Sequence, residues 1–277
     1  MRHYHTVLSI AGSDCSGGAG IQADIKTISA LGCYAMTVIT AITAQNTTGV
    51  AGVEPISPEM VEVQIEAVFA DIRPMAVKTG MLYDASCVQV VAKALARHKA
   101  ENIVVDPVMV STSGAPLMEP EAIEAIKSQL FPIAALITPN RNEAIWLTGE
   151  TDPERQADAL HAMGCRNVLL KGGDSDRTDV KIDYLSIVGT GLTPLHADAV
   201  DTRNSHGTGC TLSSAIASYL ALGHSIDDAV ARGKLYVTRA LQAGAFVSCG
   251  KGHGPVNHFF SPRRLKTFNP NTTEHDN

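Results

Sequence analysis

The sequence predicts an α/β domain built on a mostly parallel sheet, and three observations predict it. Short runs rich in Val, Ile, Leu and Ala alternate with amphipathic stretches of helix length from the first residues to about position 240, the mark of consecutive βαβ units. Most of the strand-like runs end in Gly, Pro, Asp or Asn, as chains do where they turn off the end of a sheet. The 277 residues, 45% hydrophobic and 18% charged, suffice to bury a large core.

Taken in order, strands are expected at about 5–11, 35–44, 76–80, 102–106, 134–138 and 167–171. Between them, apolar residues recur at three- and four-residue intervals over 17–31, 58–71, 84–99, 119–130, 141–148 and 153–163, which predicts helices there. Ser57 before Pro58 and Asp84 before Ala85 read as helix N-caps. Runs at 181–188 and 193–200, with no helix-length segment between them, read as a hairpin, and helices follow at 207–222 and 226–245. One domain over 1–266 is expected, with a polar, flexible tail over 267–277.

The net charge of −6 argues against a broad basic surface for nucleic acid, which needs many Lys and Arg to neutralise phosphates. A local cationic pocket for one nucleotide stays open. The six cysteines form neither a CxxC pair nor a Cys/His cluster at zinc spacing, as suits reduced thiols in a cytosol. The apolar run from Thr6 to Ala11 is too short for a signal peptide or a membrane span, so a cytoplasmic protein with no membrane partner is expected.

In open parallel sheets ligands bind beyond the carboxyl ends of the strands, so the loops there carry the chemistry. The first, AGSDCSGGAGIQAD, holds Gly12, Gly17, Gly18 and Gly20, which let backbone approach closely. It is neither a Walker A loop nor a GxGxxG turn, and a tight turn is the alternative reading. Asp24 reads equally as an acid complementing a helix dipole. Gln45 follows the second strand; its amide matches a ring nitrogen beside an exocyclic amine, or serves as a loop hydrogen-bonder. Asp106 and Glu143 bring carboxylates to the same sheet edge, where Mg²⁺ would find oxygen ligands, although a turn cap and a first-turn acid explain them as well. Lys171, at another strand end, suits a nucleotide phosphate.

The most informative element is RNSHGTGCTLSSAIASYLA. Gly207 and Gly209 bracket Thr208 directly before a helix, so free backbone N–H groups converge at its positive end as an anion hole for a phosphoryl group. Cys210 opens that helix, where its pKa is expected to fall and a thiolate to become accessible; the alternative is an inert buried thiol.

In order, AGSDCSGGAGIQADIKT, TAITAQNT, VKTGML, DPVMVSTSG, ITPNRNEA, KGG and HGTGCTLSSAIA resemble the hydroxymethylpyrimidine and phosphomethylpyrimidine kinases of thiamin biosynthesis over about residues 5–245. The resemblance implies a three-layer αβα ribokinase-like fold, ATP with Mg²⁺, and phosphorylation of 4-amino-5-hydroxymethyl-2-methylpyrimidine and then of its monophosphate. It implies a pyrimidine pocket of Gly12, Asp24, Gln45, Met81 and Val108, and an anion hole of Gly207, Thr208, Gly209 and Cys210. Asp106, Asn140 and Glu143 would organise Mg²⁺ and phosphates, Lys171 would approach the nucleotide, and a homodimer is implied. Cys210 stands where most ribokinase relatives carry an Asp base, as in the pyrimidine kinase branch.

The chain departs from the family pattern twice. Ser111-Thr112-Ser113 follows DPVMV where many relatives carry a Lys, and Asp174 stands in place of a common His. The segment 110–117, with Gly114 and Pro116, is expected to close over the substrate. A pyridoxal kinase on the same scaffold and a non-catalytic pyrimidine-binding module are the rival readings.

Overall fold

The computed structural model describes residues 1–110, 117–172 and 180–270. The expected flap, with Ser111 to Ser113, and Asp174 lie outside the described residues.

The chain enters through β1 (His3–Tyr4) and β2 (Thr6–Asp14), followed by α1 (Gly20–Ala30), β3 (Tyr34–Asn46) and β4 (Gly49–Pro55). Next come α2 (Pro58–Asp71), β5 (Ala76–Thr79), α3 (Ala85–Arg97) and β6 (Ile103–Val105). Helix α4 (Pro120–Ala125) runs on through a π-helical turn (Ile126–Leu130) and a 3₁₀ turn (Phe131–Ile133) into β7 (Leu136–Ile137). Then follow α5 (Arg141–Thr148), α6 (Pro153–Ala162), β8 (Asn167–Leu170), β9 (Val180–Ile187) and β10 (Leu192–Asp198). The long helices α7 (Thr208–Ala221) and α8 (Ile226–Gly244) precede β11 (Thr267–Phe268).

Among the described residues the main sheet has the order β10-β9-β8-β7-β6-β5-β2-β3-β4. The stretch from β8 to β3 is parallel, and antiparallel β4 and β9–β10 finish the two edges. Parallel strands are buried on both faces, and their side chains alternate accordingly. Ile103, Val105, Ile137, Val168 and Leu170 pack with α2 to α6 on one face. Their neighbours Val104, Leu136 and Leu169 pack with α1, α7 and α8 on the other. The result is the three-layer αβα fold that the sequence predicted.

Both predicted caps form: Ser57 accepts from the Met60 N–H, with Pro58 at the helix start, and Asp84 accepts from the Cys87 N–H at 2.8 Å. Two departures have clear physical causes. Helix α1 starts at Gly20 rather than 17, because Asp14 gathers the N–H groups of Ser16, Gly18 and Ala19 into a turn and Gly17 takes φ +81°. Strand β4 had no sequence signal: GVAGVEP is solvent-facing, carries two Gly and a Pro, and pairs only with β3. Thr267 and Phe268, placed in the tail by composition, pair with β1, while 271–277 lie outside the described residues. No helix among the described residues is long and apolar enough to cross a membrane.

Candidate active site

A cavity of about 1030 Å³ opens along the carboxyl ends of the parallel strands and under the first turn of α7. Gln45 ends β3 and Lys171 follows β8, five strand positions apart, so at ~4.8 Å per strand the cleft extends over roughly 24 Å. That length accommodates two molecules end to end.

At the β3 end, Gly12, Gln45, Met81 and Val108 line the cavity. Thr43 Oγ1 donates to the Ser13 carbonyl at 2.9 Å and lies 3.2 Å from Gln45 Oε1. A Cβ on Gly12 would sit 3.2 Å from the Met81 sulfur, so the glycine keeps the wall flat there. Asp24 is a correction: it is fully buried and does not line the cavity. Its carboxylate is taken up by Lys78 Nζ at 2.8 and 3.0 Å, Ser9 Oγ at 2.5 Å and Ser214 Oγ at 2.6 Å.

The start of α7 is a built turn. Gly207 holds φ +82°, and a Cβ there would lie 1.8 Å from the Gly18 carbonyl oxygen, so the turn rests directly on the glycine-rich loop. The N–H and hydroxyl of Thr208 both donate to Ser205 O. No side chain caps the helix, and the Gly209 and Cys210 N–H groups have no partner among the described residues. Two orphan donors at the positive end of a 14-residue helix make an anion-binding edge.

Asp14 and His206, to which sequence reasoning gave no role, fasten these two loops together. His206 Nε2 donates to Asp14 Oδ2 at 2.8 Å, beside the N–H groups of Ser16, Gly18 and Ala19. Burial pushes the Asp14 carboxyl up, but the hydrogen bonds from His206, Ser16 and Ala19 outweigh it and hold the group at about 2.

Cys210 is the second correction. Burial pushes its thiol up to about 11; Lys78 pulls downward, Asp24 and Asp106 push upward, and the Gly20 N–H offsets only part. The helix end does not produce a thiolate at neutral pH. Cys210 therefore stands as a thiol at the start of α7.

At the β8 end, Lys171 Nζ lies 2.8 Å from Asp106 Oδ1, and Thr138 and Ser213 donate to the same carboxylate at 3.1 and 3.2 Å. Burial opposes ionisation of Asp106, yet the Lys171 and Lys78 charges hold its carboxyl below the usual range. A Cβ on Gly209 would meet Lys171 Nζ at 3.5 Å and Asp106 Oδ2 at 3.6 Å, so this pair adjoins the anion edge. Asn140 and Glu143 form a reciprocal capping box on α5, with the Asn140 N–H donating to Glu143 Oε2 at 2.7 Å and the Glu143 N–H to Asn140 Oδ1 at 2.9 Å. Among the described residues no cluster of three or more His, Cys, Asp or Glu could cage a metal. Asp106 and Glu143 fit instead a Mg²⁺ ligated mainly by phosphates and water.

Burial pushes Glu143 up to about 7; Lys171 opposes the shift and Asp106 adds to it. The folded carboxyl lies above its ordinary 4.5, so ionising it costs stability as pH rises from about 4.5 to about 7. Glu143→Gln is therefore expected to gain melting temperature relative to the wild type between ~pH 5 and ~pH 8. A pH-independent difference in thermal melts would show that Glu143 ionises normally.

Sequence reasoning also missed Lys78, which lines the cavity, and the Lys234–Asp183 pair (2.7 Å) beside the apolar Leu212, Val237 and Leu241. For Lys78 a signal existed: a lysine inside an otherwise apolar strand, VKT, that is buried along its whole length.

Comparison with known proteins places this geometry. The phosphomethylpyrimidine kinase family model matches residues 14–257. The hydroxymethylpyrimidine/phosphomethylpyrimidine kinase of Rhizobium meliloti is 48% identical over 261 residues, covering 91% of this chain and 96% of the relative. The thiamine biosynthesis bifunctional protein of Geobacter sulfurreducens is 46% identical over 269 residues, 94% of this chain; the chain spans only about half, 54%, of that relative. Among solved structures, the phosphomethylpyrimidine kinase of Clostridium difficile superposes with TM-score 0.74 at 44% identity, covering 85% of this chain and 99% of that one. The pyridoxal kinase of Staphylococcus aureus, in complex with AMP-PCP, superposes with TM-score 0.85 at 32% identity, covering 99% and 97%. By family model, by identity along nearly its whole length and by a ribokinase-like architecture, the chain belongs to the phosphomethylpyrimidine kinase family.

Proposed function

We propose that the protein, acting as one domain over 1–266, transfers the γ-phosphoryl group of ATP to the hydroxymethyl group of 4-amino-5-hydroxymethyl-2-methylpyrimidine, and a second one to the resulting monophosphate. The observation that carries this reading is the pair of N–H groups at Gly209 and Cys210, unpartnered among the described residues, set in a cleft long enough for two molecules. Curated relatives at 41–48% identity bear the name of this activity.

The pyrimidine lies at the β3 end, its aminopyrimidine edge read by Gln45 against Met81 and Val108. The nucleotide lies at the β8 end, its base over Leu212, Val237 and Leu241 and its phosphates near Lys171. In-line transfer to the hydroxyl passes through a loose transition state, so positioning and charge stabilisation supply most of the rate. The Gly209 and Cys210 N–H groups hold the oxygens of the moving phosphoryl, and the Cys210 thiol orients the attacking hydroxyl. Asp106 and Glu143 would hold Mg²⁺, whose charge neutralises the nucleotide phosphates. The homodimer implied by the resemblance belongs with this reading, with exposed Ile42, Met60 and Val63 on β3 and α2 as an apolar face for it.

The test is a coupled assay with ATP and Mg²⁺, offering the pyrimidine and pyridoxal in parallel to the wild type and to Gln45→Ala. Preference for the pyrimidine, with a loss of about tenfold or more in kcat/KM in the variant, is expected from removing a half-buried base-reading amide. Turnover of pyridoxal alone would move the protein to the function of its structural neighbours, and turnover of neither would overturn the proposal.

A further inference from the structure

Of the lysines that line the cavity, Lys171 and Lys78 are each paired with a carboxylate that a serine of α7 approaches. Lys171 is paired with Asp106, whose Oδ2 lies 3.2 Å from Ser213 Oγ, a hydroxyl that also has the Gly209 carbonyl within 3.0 Å. Lys78 is paired with Asp24, to which Ser214 donates at 2.6 Å. Consecutive serines of α7, one helical turn beyond Cys210, thus approach first one carboxylate and then the other.

The pairs differ in place and in exposure. Lys171 follows β8, at the nucleotide end. Lys78 sits in β5, three strands closer to Gln45. Both side chains of the Lys78–Asp24 pair have 0% exposure, yet Lys78 forms part of the cavity wall and Asp24 does not. Lys78 is therefore the member of the pair nearer the cavity, and the pair is an oriented dipole in surroundings where water does not screen it. Gly80 leaves room for the ammonium: a Cβ there would sit 3.0 Å from Lys78 Nζ. Stability alone does not account for the pair, because a buried ion pair does no better than apolar residues of similar volume.

We propose that the Lys78–Asp24 pair is a positioning device for an anionic acceptor, favouring the second phosphoryl transfer over the first. The inference rests on the reading of two successive transfers. In the first, the acceptor is a neutral alcohol. In the second, the bond from Pγ to the ADP oxygen breaks, a bond forms from Pγ to an oxygen of the acceptor's own phosphate, and ADP leaves with the electron pair. No proton has to be removed, but two anions must be brought into contact. A fixed positive end under the acceptor lowers that cost in a way that a neutral alcohol does not need.

The variant Lys78→Met/Asp24→Asn removes the dipole without leaving an unpaired buried charge. The hydroxymethylpyrimidine and its monophosphate are supplied separately to the wild type and to this variant, with thermal melts as a check on folding. The monophosphate reaction is expected to lose about tenfold more kcat/KM than the alcohol reaction. Equal losses, or a larger loss with the alcohol, overturn the inference, since a merely structural role lowers both alike. Ser214→Ala keeps the ion pair but frees Asp24 from α7; it is expected to show the same bias at smaller size and decides the matter if the double variant does not fold. Wild-type protein that phosphorylates only the alcohol defeats this inference alone, and wild-type protein that phosphorylates neither defeats the proposed function.

Discussion

Alanine in place of Gly207 is expected to lower turnover by about 10²–10³ while changing the KM for the pyrimidine far less. The residue holds φ +82°, which a side chain rarely adopts, and its Cβ would lie 1.8 Å from the Gly18 carbonyl oxygen. Relief by moving Gly207 displaces the Gly209 and Cys210 donors. Relief by moving Gly18 pulls at the loop that Asp14 and His206 fasten. Either route misplaces a group that matters at the transition state more than in substrate binding. The strain also reduces stability by about 1–3 kcal/mol. Steady-state kinetics beside a thermal melt check both, and normal turnover in a destabilised variant would show that this turn does not hold the phosphoryl group.

The second large effect is expected from Lys171→Met. Removing the cation leaves the Asp106 carboxylate, 1% exposed, without its charge partner, which costs about 3–5 kcal/mol for a buried pair broken on one side. The KM for ATP should rise as well, because Lys171 is a cation at the proposed nucleotide end of the cavity. Adding Asp106→Asn removes the stranded charge, so the double variant should recover much of the stability and none of the activity. Denaturant unfolding and ATP titration of the two variants separate these effects; full recovery of activity would show that Lys171 serves only to neutralise Asp106.

The parallel strands and both caps were legible because each is a local signal: a short apolar run, a Ser or Asp before a helix. The hairpin β9–β10 and the helices α7 and α8 lie within about two residues of where periodicity put them. Strand β4 was not legible, since an exposed edge strand carries neither apolar alternation nor burial to mark it. The glycine-bracketed turn at 207–210 was readable from spacing, because orphan N–H groups follow from any helix start that lacks a capping side chain. What spacing cannot supply is the partner of each charge. Asp24 reads as a pocket residue until Lys78, 54 positions away, is found on its carboxylate. The Cys210 thiol reads as acidified by its helix until burial and the Asp24 and Asp106 charges around it are counted.

The clasp between the glycine-rich loop and α7 joins residues that are made far apart in time. Asp14 waits for His206, 192 positions on; Asp24 waits for Ser214, 190 on; and the Gly18 carbonyl waits for His258, 240 on. At ribosomal speeds of about 5–20 residues per second, roughly 10–40 s pass between the emergence of the first carboxylates and that of the groups that neutralise or bind them. Throughout that interval the nascent chain has the first strands and the glycine-rich loop but not the turn that opens α7. A ribosome that stalls before residues 206–214 emerge therefore leaves Asp14 and Asp24 without these partners and the glycine-rich loop without the turn that rests on it.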